Sequence, residues 1–299
     1  RAATGQCNWT GFDWRIDCAR TERRGWNVSG DDTREPTVTS ALDRGIIDAS
    51  GLDVDAEITF VAVPVRSTTD EVERALAETT GTVTDVGSVK TPVCRSVESP
   101  RFIGGHPMAG SEFDGIDAAQ ADLFQSAVWV LTPLEGSDDA TFAQVNGIIS
   151  SFGADVVALS PERHDELVAV VSHVPHLAAA TLMGLASTRS EEHAALLRLA
   201  AGGFRDMTRV ASGQPGIWID ICAENKTAIT SALGELIAGL SNVRDLIATD
   251  DHETLRSTLQ AARDARTNLP TRVVHPEDLA EVRVPIPDRA GSAAELFTL

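Results

Sequence analysis

From Gly25 to about Ser160, short apolar runs alternate with segments of helical spacing. "WNVSG" (26–30), "ITFVAVP" (58–64), "GTVTDVGS" (81–88), "RFIGGHP" (101–107), "AVWVLTP" (127–133) and "ADVVAL" (154–159) read as strands. "TVTSALDRG", "TDEVERALAET" and "DATFAQVNGIISSFG" read as the helices between them. Strands that alternate with helices of this length predict a mostly parallel, doubly wound α/β sheet with helices on both faces. After Pro161 the texture changes, and no strand pattern returns before about Asn268. "SPERHDELVAVVSHVPHLAAATLMGLAS" (160–187) opens with Ser160 as cap and Pro161 in the first turn, both helix-starting signals. Its apolar positions run nearly all round, which predicts a buried helix. "SEEHAALLRLAAGG", "IWIDICAENKTAITSALGELIAGLSNVRDLIA" and "DDHETLRSTLQAARDART" continue the helical pattern. The chain thus divides into an α/β unit over 1–160 and an all-α unit over 161–270. A linker, "NLPTRVVHPED", leads to a strand–turn–helix unit at 279–299 that stops short. The long apolar helix makes the all-α unit a natural interface for a homodimer.

A hydrophobic content of 42% is ample for a sizeable core. A formal net charge of -19 excludes nucleic acid and anionic membrane as partners, because both would be repelled. No apolar run in the sequence approaches the ~20 residues of a membrane span. Cys7, Cys18, Cys94 and Cys222 are scattered without zinc spacing, so reduced thiols and a cytoplasmic location are expected. The chain shows no signal-peptide pattern and does not begin with Met, so its first residue is read as internal to a longer protein.

Polar residues without a structural reason gather in three places. In "RFIGGHPMAGSEFDG" (101–115), His106 follows two glycines and precedes Pro107. Glycine supplies conformations that other residues avoid, and Pro107 holds His106 extended. The end of a strand in a doubly wound sheet is where ligands bind. In "TDVGSVK" (84–90), Ser88 and Lys90 follow a Gly turn at the same edge. Ser88 either faces His106 across one crevice or caps the next helix. In the helical half, "SHVPH" puts His173 and His176 on an apolar helix. With no Glu between them and Pro175 disturbing the turn, they predict a polar ligand contact and no metal. "GGFRDMTRVASGQPGIW" (202–218) brings Arg205, Asp206 and Arg209 together. A fixed guanidinium there is either a carboxylate receptor or half of a surface salt bridge.

Five segments in register, "DVGSVK", "GGHPMAGSE", "SPERHDELVAVVSHVPHLAAA", "GGFRDMTRVASGQPGIWIDICAENK" and "VRVPIPDRAGSAAELFTL", resemble the prephenate/arogenate dehydrogenase family of tyrosine biosynthesis. The resemblance spans roughly residues 25–299. It implies a Rossmann-like domain, an all-α dimerisation domain and, in the tail, the start of an α+β ACT-type domain. It also implies NAD-dependent oxidative decarboxylation of prephenate or arogenate. His106 would take the proton of the substrate's 4-hydroxyl, with Ser88 assisting. Arg209 would hold a substrate carboxylate, while His176 and Trp218 line the pocket. Asp32, Val63, Pro64 and Ser88 would bind the cofactor, and Asp32 favours NAD over NADP. Two alternatives differ from this reading. A hydroxy-acid dehydrogenase would use Lys226 as its base. A catalytically silent, ligand-sensing dimer would need no working cofactor loop.

One departure stands out. A Rossmann-like domain needs a Gly-rich first loop so that a pyrophosphate can approach backbone N–H groups. Here the first segment reads "TGQCNWTGFDWRIDCAR". Reading residues 5–20 from the second base of each codon permits A-N-V-I-G-L-G-L-I-G-G-S-I-A-L-A. Trp9 before Thr10 and Trp14 before Arg15 must then give Gly, and Gly11 before Phe12 can. The first ~22 residues are therefore read as a local frame error. That reading predicts that the written segment fails to form the sheet's central strand, because Asp13, Arg15 and Asp17 interrupt it.

Overall fold

The computed structural model describes residues 6–10, 25–109, 123–192 and 195–269, with only the backbone described for 6–10 and 191–192. Eight strands form one sheet: β1 (Gln6–Thr10), β2 (Asn27–Asp31), β3 (Ala49–Ser50), β4 (Ile58–Val61), β5 (Thr82–Asp85), β6 (Phe102–Pro107), β7 (Val128–Thr132) and β8 (Asp155–Ala158). Their order is β3-β2-β1-β4-β5-β6-β7-β8. All neighbours run parallel except β6 and β7, which are antiparallel, with His106 opposite Val130. Order reverses between β1 and β4, and a crevice at the carboxyl ends follows from that reversal.

Alternation along the strands buries both faces. Ile58, Phe60, Trp129 and Leu131 pack on one side with Val145, Ile149 and Phe152 of helix α4 (Asp139–Ser151) and its end. Val61, Val83 and Phe102 pack on the other against α2 (Thr68–Glu78) and α3 (Thr91–Ser96). Helix α1 (Glu35–Asp43) follows β2. The pattern missed β3 and α3, because two and six residues are too few to show a period.

The expectation that the first segment would be irregular is corrected at Gln6–Thr10. That segment pairs in parallel with both β2 and β4 and occupies the centre of the sheet. It contains none of the charges that argued against it, and both neighbours present backbone donors and acceptors that any extended segment satisfies. The turn at Thr10–Gly11, the helix after it, and Asp13, Arg15 and Asp17 lie outside the described residues. So does the expected ACT-type unit at 279–299.

The second half is helical throughout. Helix α5 (Pro161–Val168) starts as its sequence predicts, with the Ser160 side chain accepting from Arg163 N. It runs through a π-helical turn (Ala169–His173) into α6 (Val174–Glu192). Pro175 has no N–H for the carbonyl four residues back, and the wider turn sits where that bond is missing. Helices α7 (Gly202–Thr208), α8 (Pro215–Glu224), α9 (Lys226–Ala248) and α10 (His252–Thr267) complete it.

Two expectations about the long helix change. It is not buried all round: Val170 and Val171 are 57% and 65% exposed. The continuous helical run Pro161–Ser190 also contains an 18-residue stretch of mean hydropathy 1.5, long and apolar enough by length and composition to cross a membrane. The sequence hid this because Glu162, Arg163, Asp165 and Glu166 interrupt its beginning. Buried His164, Asp165, His173 and His176 on this run are polar contacts of a protein core.

The reason for the glycines before His106 is also different. Neither Gly104 nor Gly105 has a positive φ; both lie in the extended strand. They are required for space: a Cβ on Gly105 would stand 2.7 Å from the backbone oxygen of Asp85 and 3.0 Å from Trp129 Nε1. Gly105→Ala should therefore destabilise the fold by about 1–3 kcal/mol, as overpacking does. Chemical denaturation checks it, and an unchanged midpoint would show that β5 and β6 can separate freely.

Candidate active site

The carboxyl ends of β4, β5 and β6 open into a cleft of about 400 Å³. Val63, Pro64, Gly87, Ser88, His106 and Pro107 line its sheet side. Gln214, Gly216, Ile217 and Asp220, from α8 and the turn before it, close the other. Arg66 joins the two sides, with Nε 3.2 Å from Asp220 Oδ1. Ser88 and His106 therefore face one crevice, as the spacing allowed. The alternative role for Ser88, capping the next helix, belongs to another residue. Asp165 of α5 accepts from Lys90 N and Thr91 N, both at 2.8 Å, at the start of α3.

Behind His106 lies a buried polar network. Its Nδ1 is 2.8 Å from His164 Nε2, and His164 Nδ1 is 2.8 Å from Asp165 Oδ1. The Asp165 backbone oxygen accepts from Asn225 Nδ2 at 2.8 Å, and the same amide approaches His173 Nδ1 at 3.3 Å. One residue before His106, the strand is held by a fully buried ion pair between Lys90 and Asp85. Lys90 Nζ also donates to Gly105 O at 2.8 Å, and Gly105 N donates to Asp85 Oδ1 at 3.1 Å. The backbone carrying the imidazole is thus clamped on both its donor and its acceptor.

Burial pushes His106 well below the usual imidazole range, and its neighbours His164, Lys90 and His173 further disfavour a positive charge there. The ring is neutral near pH 7 and can accept a proton. Burial also lowers His164, although its bond to Asp165 opposes the shift. For Asp165, burial raises the carboxyl, but hydrogen bonds from His164, Thr91 and Lys90 outweigh it and keep it ionised. His173 is pushed down to about 4 by burial, and its Nε2 is buried with no hydrogen-bond partner.

The remaining predicted residues are spread around this centre. Asp32 stands just past β2, where its carboxylate accepts from Arg34 N at 2.7 Å. His176 stacks on Trp218 with ring centroids 3.5 Å apart, against Gly213. Neither ring lines the cleft as described. Arg209 is exposed at the start of the 3-10 turn Arg209–Ser212 and also lies outside the lining. Lys226 is exposed in a separate cleft on the far side of Asp165, so it does not face His106. Cys94 and Cys222 are free thiols. Sequence reasoning gave no role to His164, Asp165, Asp85 or Asn225. An adjacent His-Asp pair on the buried face of an apolar helix was the available signal.

A family model described as the prephenate dehydrogenase nucleotide-binding domain matches residues 18–158, and the prephenate dehydrogenase dimerization domain matches 160–261. The chain belongs to the prephenate dehydrogenase family. The prephenate dehydrogenase of Bacillus subtilis is 33% identical over 92% of this chain and 78% of its own length. A structure of prephenate dehydrogenase from A. aeolicus, in complex with hydroxyphenyl propionate and NAD+, superposes with TM-score 0.83 at 28% identity. It covers 90% of this chain and 99% of that one. Synechocystis arogenate dehydrogenase follows at TM-score 0.72 and 29% identity, with 88% and 99% covered. Within this family the fold is a Rossmann-like domain followed by a helical dimerisation domain, as the resemblance implied.

The low proton affinity of His173 links stability to pH. The unfolded chain binds this proton near the ordinary value of 6.5, and the folded chain only near about 4. Stability is therefore full above 6.5 and falls as pH drops from there toward about 4, by up to ~1.4 kcal/mol per pH unit for this group. His173→Gln should flatten that slope in denaturation curves taken across the window. An unchanged slope would mean that His173 does not titrate this way.

Proposed function

We propose that this chain catalyses the NAD-dependent oxidative decarboxylation of prephenate or arogenate, a step of tyrosine biosynthesis. The observation that carries it is a neutral imidazole, His106, fixed at the carboxyl end of β6 beside Ser88 in a cleft lined by both halves. The described residues fit a dinucleotide. The strand order reverses beside β1, Asp32 stands past β2, and Val63 and Pro64 form an apolar wall after β4. Asp32 would take the ribose hydroxyls, favouring NAD over NADP, and Val63, Pro64 and Ser88 the nicotinamide end. Bound there, NAD supplies the hydride acceptor for ring carbon C4.

His106 takes the 4-hydroxyl proton as that carbon becomes a carbonyl. The ring carboxylate then leaves as CO2, its bonding electrons enter the ring, and the oxygen at C4 recovers the proton from His106 as a phenol. Ser88 hydrogen-bonds the same hydroxyl. Arg209, exposed on the turn leading to Gln214, binds a substrate carboxylate. The His176–Trp218 stack supports the pocket wall. Lys226 does not favour the hydroxy-acid alternative, because it belongs to another cleft. The exposed apolar side chains Leu185, Ile237, Leu240, Ile247 and Leu259 suit burial against a second copy, giving a homodimer in the cytoplasm.

We further infer that residues 5–20 are written out of frame and that the shifted reading supplies the phosphate-binding loop. Fluorescence titration should detect NAD binding by a chain carrying the shifted residues and little by the chain as written. Equal affinity for both would refute the frame inference and show that the written loop works. With the shifted residues in place, His106→Asn should lower turnover by ~10²–10⁴-fold while leaving substrate and NAD affinity largely intact. A loss below about tenfold would assign the proton to another group. Arg209→Ala should instead raise KM without changing NAD affinity, and unchanged kinetics would remove Arg209 from the site.

A further inference from the structure

Three ionisable side chains stand in line from the cleft into the join between the two halves. His106 Nδ1 meets His164 Nε2, and His164 Nδ1 meets Asp165 Oδ1, each at 2.8 Å. Asp165 also receives the Lys90 and Thr91 amides, and its side chain is only 6% exposed. A carboxylate accepts and cannot donate, so His164 carries its proton on Nδ1. Neutral His164 then has only a lone pair at Nε2. His106 must donate to it from Nδ1, which leaves its own Nε2 bare.

We infer that His164 and Asp165 are positioning residues: they hold His106 as the Nδ1–H tautomer, with Nε2 free to take a proton, and share the charge once it has. The arrangement has a second purpose beyond capping α3. A cap needs only the two amides, whereas the third bond on Asp165 continues through His164 to the cleft. It also offsets Lys90, whose buried ammonium beside Gly105 opposes any positive charge on His106. The catalytic part of this inference rests on His106 being the base; the tautomer does not.

The test is nitrogen NMR on the 15N-histidine-labelled chain near pH 7, with His106 assigned by its loss in His106→Asn. Both His106 and His164 should be protonated at Nδ1 and bare at Nε2. Asp165→Asn, whose amide can donate to His164 Nδ1, should reverse both tautomers. In the enzyme carrying the shifted residues 5–20, it should lower kcat by about 10²-fold or more with KM and NAD affinity unchanged. His164→Gln can accept from His106 and donate to Asp165, so it should keep the tautomer and most of kcat. His164→Leu should lose it. This pair carries the test if Asp165→Asn does not fold. A His106 protonated at Nε2 in the unaltered chain would overturn the inference. So would equal kcat for His164→Gln and His164→Leu. The expected tautomers in a protein that turns over neither prephenate nor arogenate would support the positioning network and overturn the functional reading instead.

Discussion

The carboxylate of Asp165 accepts from two backbone amides of the α/β half and from an imidazole of its own helix, almost out of reach of water. Burying a charge is costly unless its hydrogen-bonding capacity is filled, and here it is filled from both sides of the join. That requirement fixes how α5 meets the start of α3. Once this is fixed, His164 has one position beside His106, and the cleft has one width. Asn225 locks the same helix from behind through the Asp165 backbone oxygen. A small apolar contact, Val89 with Ala169, Ile221 and Ile229, covers the join. Packing here excludes water, while the hydrogen bonds determine the alignment.

A second constraint acts within the sheet. Gly105 approaches Asp85 so closely that no side chain fits, and the resulting space is spanned by the Lys90–Asp85 pair and its bonds to the Gly105 backbone. His106 is consequently carried on backbone that cannot shift without breaking the two hydrogen bonds Gly105 makes to the buried Lys90–Asp85 pair, and hydrogen bonds to charged groups are worth about 1.5–3 kcal/mol each. Precision at the imidazole thus comes from a rigid strand rather than from a loop.

Much of this was legible in the sequence. The runs "ITFVAVP" and "AVWVLTP" gave buried strands, and Ser160-Pro161 gave the start of the helical half, because period and capping are local signals. His106 and Ser88 could be placed on one edge because each stands at the carboxyl end of a strand. The His164–Asp165 pair could not be assigned, because its partners are 58 and about 75 residues away in sequence and no local rule links them. The glycines were noticed for the wrong property: backbone freedom is visible in a sequence, and lack of space is not. The first strand was not legible because sheet pairing depends on what the neighbouring strands offer, and the charges at Asp13, Arg15 and Asp17 lie beyond the strand's own end.

Family membership and the cleft together lead to one chemical claim: oxidation at the ring hydroxyl and loss of the ring carboxylate belong to one turnover, for which we propose His106 as the base. Turnover of prephenate and of arogenate by the chain carrying the shifted residues, with NADH and CO2 measured in the same reaction, tests this claim directly. Equal amounts of NADH and CO2 are predicted from whichever of the two substrates is accepted. NADH formed without CO2, or CO2 released without NADH, would contradict the account.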